Sequence, residues 1–156
     1  MQILTSTDPD LSHLRPSIHA LLELHTRQMS YITGDNRDEM ITDWFNEYRL
    51  PNYFMVENDA VIGLCITDTY MNTGREISLL LTHPSYYRQS VATSLLDHCI
   101  RRSEFCGFTS LHLQVARDNE NAIRLYYKHG FILVDKTGHM YKMSRSLSSN
   151  DCCSNF

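Results

Sequence analysis

No uninterrupted apolar run in this 156-residue chain approaches the about 20 residues that cross a bilayer as a helix, which argues against a membrane protein. The first residues, Met1 to Asp8, lack a basic stretch followed by an apolar one, so no secretory leader is expected. Basic stripes are missing as well. The formal net charge is −4, which argues against a dedicated nucleic-acid binder and mildly favours a cationic substrate. The cysteines number five, Cys65, Cys99, Cys106, Cys152 and Cys153, and have no metal-ligand spacing. An odd, unpatterned set points away from a disulfide frame or a zinc centre and towards reduced thiols in a cytoplasmic protein. Internal repeats and domain-length linkers are also lacking.

Helical and strand periodicities do alternate along the chain. Ile3-Leu4 reads as a short strand. Leu14, Ile18, Leu21, Leu22 and His25 recur at helical spacing within 11–32, with Pro16 suited to a first turn. Thr33-Gly34-Asp35-Asn36 breaks that helix. A second is expected over 38–48, where Met40, Ile41, Trp44, Phe45 and Tyr48 form an aromatic-rich stripe before Pro51. Residues 52–57 and 60–66 flank Asn58-Asp59 as a β-hairpin. After a polar turn at 72–75, Glu76-Ile77-Ser78-Leu79-Leu80-Leu81-Thr82 has the near-continuous apolar character of a strand covered on both faces. A helix over 90–101, a strand over 109–115, a helix over 119–129 stopped by Gly130, and strands at 131–134 and 140–143 complete the pattern. The expected architecture is α/β (α+β): a mixed, mostly antiparallel central sheet flanked by helices on both faces. One domain is expected over 1–145, followed by a polar, aperiodic tail at 146–156 that is expected to be disordered.

Two stretches can carry chemistry. In Thr82-His83-Pro84-Ser85-Tyr86-Tyr87-Arg88-Gln89-Ser90-Val91-Ala92, a strand passes through a tight loop into a helix. Such a passage turns free backbone N–H groups and the positive end of a helix outward, a setting for phosphate or pyrophosphate, and Arg88 adds charge. Taken alone, the pattern is more often a structural loop with solvated Arg88 and Gln89. The second stretch, Asn119-Glu120-Asn121-Ala122-Ile123-Arg124-Leu125-Tyr126, leads to Gly130-Phe131. It reads as a short helix with Tyr126 on the face of Ala122 and near the side of Asn119. In their order and spacing the two stretches resemble the signatures of the GCN5-related N-acetyltransferases. The first is similar to that family's Arg/Gln-x-x-Gly-x-Gly/Ala loop for acyl-coenzyme A, the second to its Asn-x-x-Ala-x-x-Leu/Phe-Tyr…Gly-Phe segment. The resemblance covers roughly 52–143 and is weakest over the first two helices.

The resemblance implies an N-acetyltransferase that moves the acetyl group of acetyl-CoA to a primary amine by direct attack in a ternary complex, without a metal. In such enzymes the pantetheine arm bonds strand backbone, here near Leu80, Leu81 and Thr82. The pyrophosphate lies against the loop of Tyr87, Arg88, Gln89, Ser90, Val91 and Ala92. Asn119 assists cofactor binding or helix placement, and Tyr126 points its hydroxyl at the thioester sulfur. A phenol, neutral at physiological pH, can donate a proton to a departing thiolate. An exposed strand N–H near Leu81 can meet the charge that develops on the carbonyl.

Glu76, at the start of the central strand, is the candidate base, acting directly or through water; the other reading is a strand-end carboxylate in solvent. His83 is expected to serve the turn and His112 to bond locally, while His25, His129 and His139 are given structural roles. Tyr87 stands where the family has arginine or glutamine, and Ser90 where it has glycine. Weakened or altered cofactor binding is therefore expected, and a catalytically silent acyl-CoA-binding or regulatory module is the alternative. The acceptor is an amine-bearing small molecule or a protein amine, with Trp44, Phe45, Tyr48, Tyr53, Tyr70 and Met71 as candidate mouth residues. Glu47, Glu57 and Asp68 are candidates to attract it. Trp44 is preferred as core, and Tyr70 and Met71 as determinants of specificity. Members of that family often dimerise, which admits a homodimer; neither nucleic acid nor membrane is an expected partner.

Overall fold

The computed structural model describes residues 1–26 and 34–148. The first strand, β1 (Gln2–Thr5), pairs antiparallel with β2 (Tyr53–Glu57). Asn58 and Asp59 then both take left-handed backbone, at φ 52° and 57°, as a two-residue hairpin turn that follows the strand twist requires. They return the chain into β3 (Ala60–Tyr70), with Glu57 opposite Ala60. The strand runs on to Tyr70, beyond the expected end at 66. The remaining strands are β4 (Gly74–Thr82), β5 (Ser110–Ala116), β6 (Ile132–Thr137) and β7 (Met140–Ser146). Their order is β1-β2-β3-β4-β5-β7-β6 in one seven-stranded sheet. The β4–β5 ladder is parallel, from Gly74↔Ser110 to Ile77↔Leu113. The pairs β1–β2, β2–β3, β5–β7 and β6–β7 are antiparallel. The mixed, mostly antiparallel sheet expected from the sequence is therefore present.

The four α-helices among the described residues are α1 (Arg15–Glu23), α2 (Gly34–Trp44), α3 (Val91–Phe105) and α4 (Glu120–Lys128). The first expected helix is divided. Residues Pro9–Leu14 form a 3-10 turn capped by Asp8, whose carboxylate accepts the Asp10 N–H at 3.1 Å, and Pro16 then sits in the first turn of α1. The expected end of that helix, up to Ile32, and Thr33 lie outside the described residues. Gly34, Asp35 and Asn36, expected to break a helix, instead open α2, and Asp35 places a carboxylate at its positive end. The same helix stops at Trp44 rather than at 48. Phe45 N–H and Asn46 N–H bond to carbonyls three residues back, and the Asn46 side chain takes the Tyr48 N–H at 2.9 Å. Tyr48 consequently leaves the aromatic stripe and is 90% exposed.

Two compact units are distinguished, residues 1–66 with 79–95, and residues 67–78 with the chain from 96 onward. In the first, Leu11, Ile18, Leu22, Ile41, Trp44, Phe54, Leu64 and Leu81 form the hydrophobic core. Phe45 stacks on Phe54 with 5.5 Å between ring centres, so Trp44 in the core and Phe45, partly buried against it, hold the end of α2 in place. In the second, Ile77, Leu96, Cys99, Leu111, Leu113, Phe131 and Met143 are buried. Arg75 is buried with them. Its guanidinium donates to Ser103 Oγ at 3.1 Å and Thr67 Oγ1 at 2.9 Å, and lies 5.6 Å from the Phe108 ring centre. β7 extends through Ser146, and Leu147 N–H donates to the Thr109 carbonyl at 2.9 Å. Ordered chain thus passes the boundary expected at 145. The rest of the expected tail, from 149 on and including Cys152 and Cys153, lies outside the described residues.

Candidate active site

The first candidate region lies in the unit that holds residues 79–95. At the end of β4, Leu81 is buried while Leu80 and Thr82 are partly accessible. His83 N–H donates to the Ile62 carbonyl at 2.7 Å, and His25 Nε2–H donates to the Thr82 carbonyl at 3.1 Å. The strand end is therefore tied both to β3 and to the turn after α1. His83 serves the turn as expected, its Nδ1 accepting the Ser85 N–H at 3.1 Å to cap a short 3-10 segment, Pro84–Tyr86.

The loop that follows has an unusual backbone. Arg88 and Ser90 take φ 66° and 63°, a left-handed conformation that ordinary L-residues avoid. Alternation of that kind turns successive N–H groups towards a common point, a concavity suited to anions. The first intrahelical bond of α3 runs from Ser94 N–H to the Ser90 carbonyl at 2.9 Å, which leaves the N–H groups of Val91, Ala92 and Thr93 without a helical acceptor. Tyr87, Arg88, Gln89 and Ser90 are exposed. Gln89 braces the loop itself, its amide donating to the Ser85 carbonyl at 3.3 Å. Val91 is 2% exposed, so only its backbone can reach a ligand.

Sequence reasoning gave Gly63 no role, although an isolated glycine inside a strand signals close backbone approach. A Cβ there would lie 2.5 Å from Val91 Cγ1 and 3.1 Å from both the Leu81 carbonyl oxygen and Leu95 Cδ1. The missing side chain lets the first turns of α3 rest directly on the strand. His25, read as merely structural, was also missed as the residue that holds the Thr82 carbonyl.

The second candidate region lies in the unit that holds residues 67–78. Glu76 on β4 stands in register with His112 on β5. Burial, and then the Asp68 carboxylate, raise the Glu76 pKa above the ordinary value of 4.5, against an opposing pull from Lys142. His112 stacks on Tyr70 with 3.9 Å between ring centres, and its Nε2 lies 2.7 Å from Ser110 Oγ. Burial lowers its pKa below 6.5, leaving a neutral imidazole beside the carboxyl. Gly74 makes room for that ring, since a Cβ would lie 3.2 Å from its Nε2. Met71 is 84% exposed, whereas Tyr53 is 1% exposed and is a core residue rather than a candidate mouth residue.

Tyr126 belongs to α4 of the same unit. Its ring is 8% exposed and meets Phe131 edge-on at 5.8 Å. Gly130, at φ 83°, turns the chain out of the helix, so that Phe131 N–H bonds back to the Tyr126 carbonyl at 3.0 Å. Asn119 is the N-cap of α4, its side-chain oxygen accepting the Ala122 N–H at 3.3 Å.

A strand–loop–helix passage with outward amides, followed by a capped helix bearing a tyrosine before Gly-Phe, is the pattern of one large family. The sequence profile of the Acetyltransferase (GNAT) family matches residues 18–131, and the chain belongs to that family. It is 29% identical over 133 residues to mycothiol acetyltransferase of Propionibacterium freudenreichii, covering 81% of this chain and 41% of that protein. It is 30% identical over 83 residues to the ribosomal protein bS18-alanine N-acetyltransferase of Escherichia coli, covering 53% of this chain and 55% of that one. The chain thus spans about half the length of these curated relatives. Its fold matches an aminoglycoside 6′-N-acetyltransferase complexed with coenzyme A at a TM-score of 0.78 and 16% identity, over 96% of this chain and 99% of the other.

Proposed function

We propose that the protein is an acetyl-CoA-dependent N-acetyltransferase acting on a primary amine, carried by a small molecule or a protein, by direct attack in a ternary complex. The observation that carries this reading is the exposed loop before α3, where Arg88 and Ser90 adopt left-handed backbone and the following N–H groups have no helical acceptor. Those amides and the Arg88 guanidinium fit a diphosphate. Family membership supplies the class of donor, and relatives named for transfer to amines supply the class of acceptor.

Acetyl-CoA brings an acyl group activated as a thioester. The backbone at Leu80, Leu81 and Thr82 holds the pantetheine arm, in the part of β4 beyond the registered pairs with β5. Tyr87 through Ala92 hold the diphosphate, and Asn119 places α4. Glu76 takes a proton from the acceptor ammonium, directly or through water, so that the neutral amine can attack the thioester carbonyl, and its raised pKa makes it a stronger base than an ordinary carboxylate. Tyr126 gives a proton to the departing sulfur.

Calorimetric titration with acetyl-CoA, followed by mass spectrometry of a panel of peptides with free N-termini, aminoglycosides and polyamines, tests the proposal. Saturable binding that Arg88→Ala weakens is expected, together with an acetylated product that Tyr126→Phe suppresses. Binding without any product would leave the silent module as the better reading. No binding at all would remove the diphosphate grip.

A further inference from the structure

The end of α4 is bonded more densely than a nine-residue helix needs in order simply to stop. Beyond the ring stacking and the Gly130 turn already described, His129 uses every polar group it has. Its backbone N–H is shared between the Leu125 and Tyr126 carbonyls at 3.2 and 3.0 Å. Its own carbonyl accepts from Arg145 Nη1 at 2.7 Å, and Arg145 in turn lies 3.9 Å from Glu104. Its Nδ1 lies 2.8 Å from the Leu125 carbonyl oxygen, and its Nε2 lies 3.1 Å from Asp97 Oδ1 on α3. The imidazole is 13% exposed, and Asp97 reaches it from a half-exposed position.

The two groups facing the ring are a carbonyl and a carboxylate, both acceptors. Each ring nitrogen thus faces an acceptor on a different element, the Leu125 carbonyl on α4 and the Asp97 carboxylate on α3. One residue therefore couples the last turn of α4 to α3 through Asp97 and to β7 through Arg145.

We propose that His129, clamped by Asp97, is a positioning residue that sets the last turn of α4 and, through it, the Tyr126 phenol. A short helix has little stability of its own, so its terminal bonds decide where Tyr126 points. The catalytic consequence rests on the acid role proposed above for Tyr126. The clamp itself does not, and the test reads the clamp directly.

The experiment compares the wild type with Asp97→Asn, Asp97→Glu and His129→Gln by amide hydrogen exchange and by NMR of carbon-13-labelled tyrosine. Asp97 is half exposed, so its variants are expected to fold. Loss of the contact between Asp97 and the ring should speed exchange of the His129 and Phe131 amides about tenfold in Asp97→Asn and His129→Gln. It should also shift the Tyr126 ring resonance while the Kd for acetyl-CoA stays unchanged. Asp97→Glu, which keeps the carboxylate, should restore the wild-type values in part. Unchanged exchange and an unmoved Tyr126 resonance in both disruptive variants would overturn the proposal. Faster exchange spread evenly over all amides would overturn it too, since that is the signature of general destabilisation. A Tyr126→Phe protein with full turnover would instead remove the acid role and leave the clamp standing.

Discussion

Ser90 holds φ at 63°, a conformation that costs an L-residue roughly 1–2 kcal/mol and glycine almost nothing. Its hydroxyl makes no hydrogen bond among the described residues, so nothing repays that strain inside the protein. Ser90→Gly is expected to stabilise the fold by about 0.5–1 kcal/mol after the extra freedom of glycine in the unfolded chain is counted. Urea melts check the stability, and calorimetry should show acetyl-CoA binding at least as tightly. A loss of stability would mean that the hydroxyl has a role. Glu76 yields a prediction with a definite sign. To act as a base it must be deprotonated, and burial with Asp68 keeps its proton on to higher pH than usual. The ascending limb of kcat/KM against pH should therefore lie above the ordinary carboxylate range of about 4–5, and Glu76→Gln should abolish the limb along with most of the activity. The turn role of His83 and the helix-placement option for Asn119 could be anticipated from the family resemblance. Tyr53 could not, because period-2 alternation shows that a side chain has a face but not whether that face is covered.

Gly63 decides how α3 meets the sheet. An added Cβ would stand 2.5 Å from Val91 Cγ1, and valine is stiff about χ1, so Gly63→Ala must push the start of α3 away from β3. A cost of about 1–3 kcal/mol is expected from overpacking of this kind. The Kd for acetyl-CoA should rise as well, because the displaced turn carries the amides assigned to the diphosphate. Thermal melts and calorimetry read the two effects separately; a destabilised protein with unchanged affinity would detach Gly63 from the grip. Element type was mostly legible from periodicity, and boundaries were less so. α2 stops at Trp44 because side-chain and i→i−3 bonds just after it compete with further helix, and such competition leaves no trace in the spacing of apolar residues. β3 and β7 both run further than expected, since cross-strand partners extend a strand beyond the point where its own pattern fades.

Among the described residues, two partly buried imidazoles contribute to the response to acid. His98 is kept below the ordinary value of 6.5 first by burial and then by Arg101, Arg102 and Arg75, and His112 by burial alone. The unfolded chain therefore takes up protons before the folded one, and stability should fall as the pH drops below 6.5. His98→Gln should flatten that decline, as urea midpoints measured across the range would show; an unchanged slope would assign the acid sensitivity elsewhere. The order of elements, the strand–loop–helix passage at 82–92 and the helix that carries Tyr126 were all determined by the sequence alone. They rest on local chemistry: proline and glycine punctuation, caps, and apolar period. The tertiary structure alone decided that Gly63 seats α3, that Glu76 stands in register with His112, and that Asp97 and Arg145 close on His129. Those contacts join residues far apart in the chain, and their energies depend on distance and burial in space, neither of which a linear pattern carries.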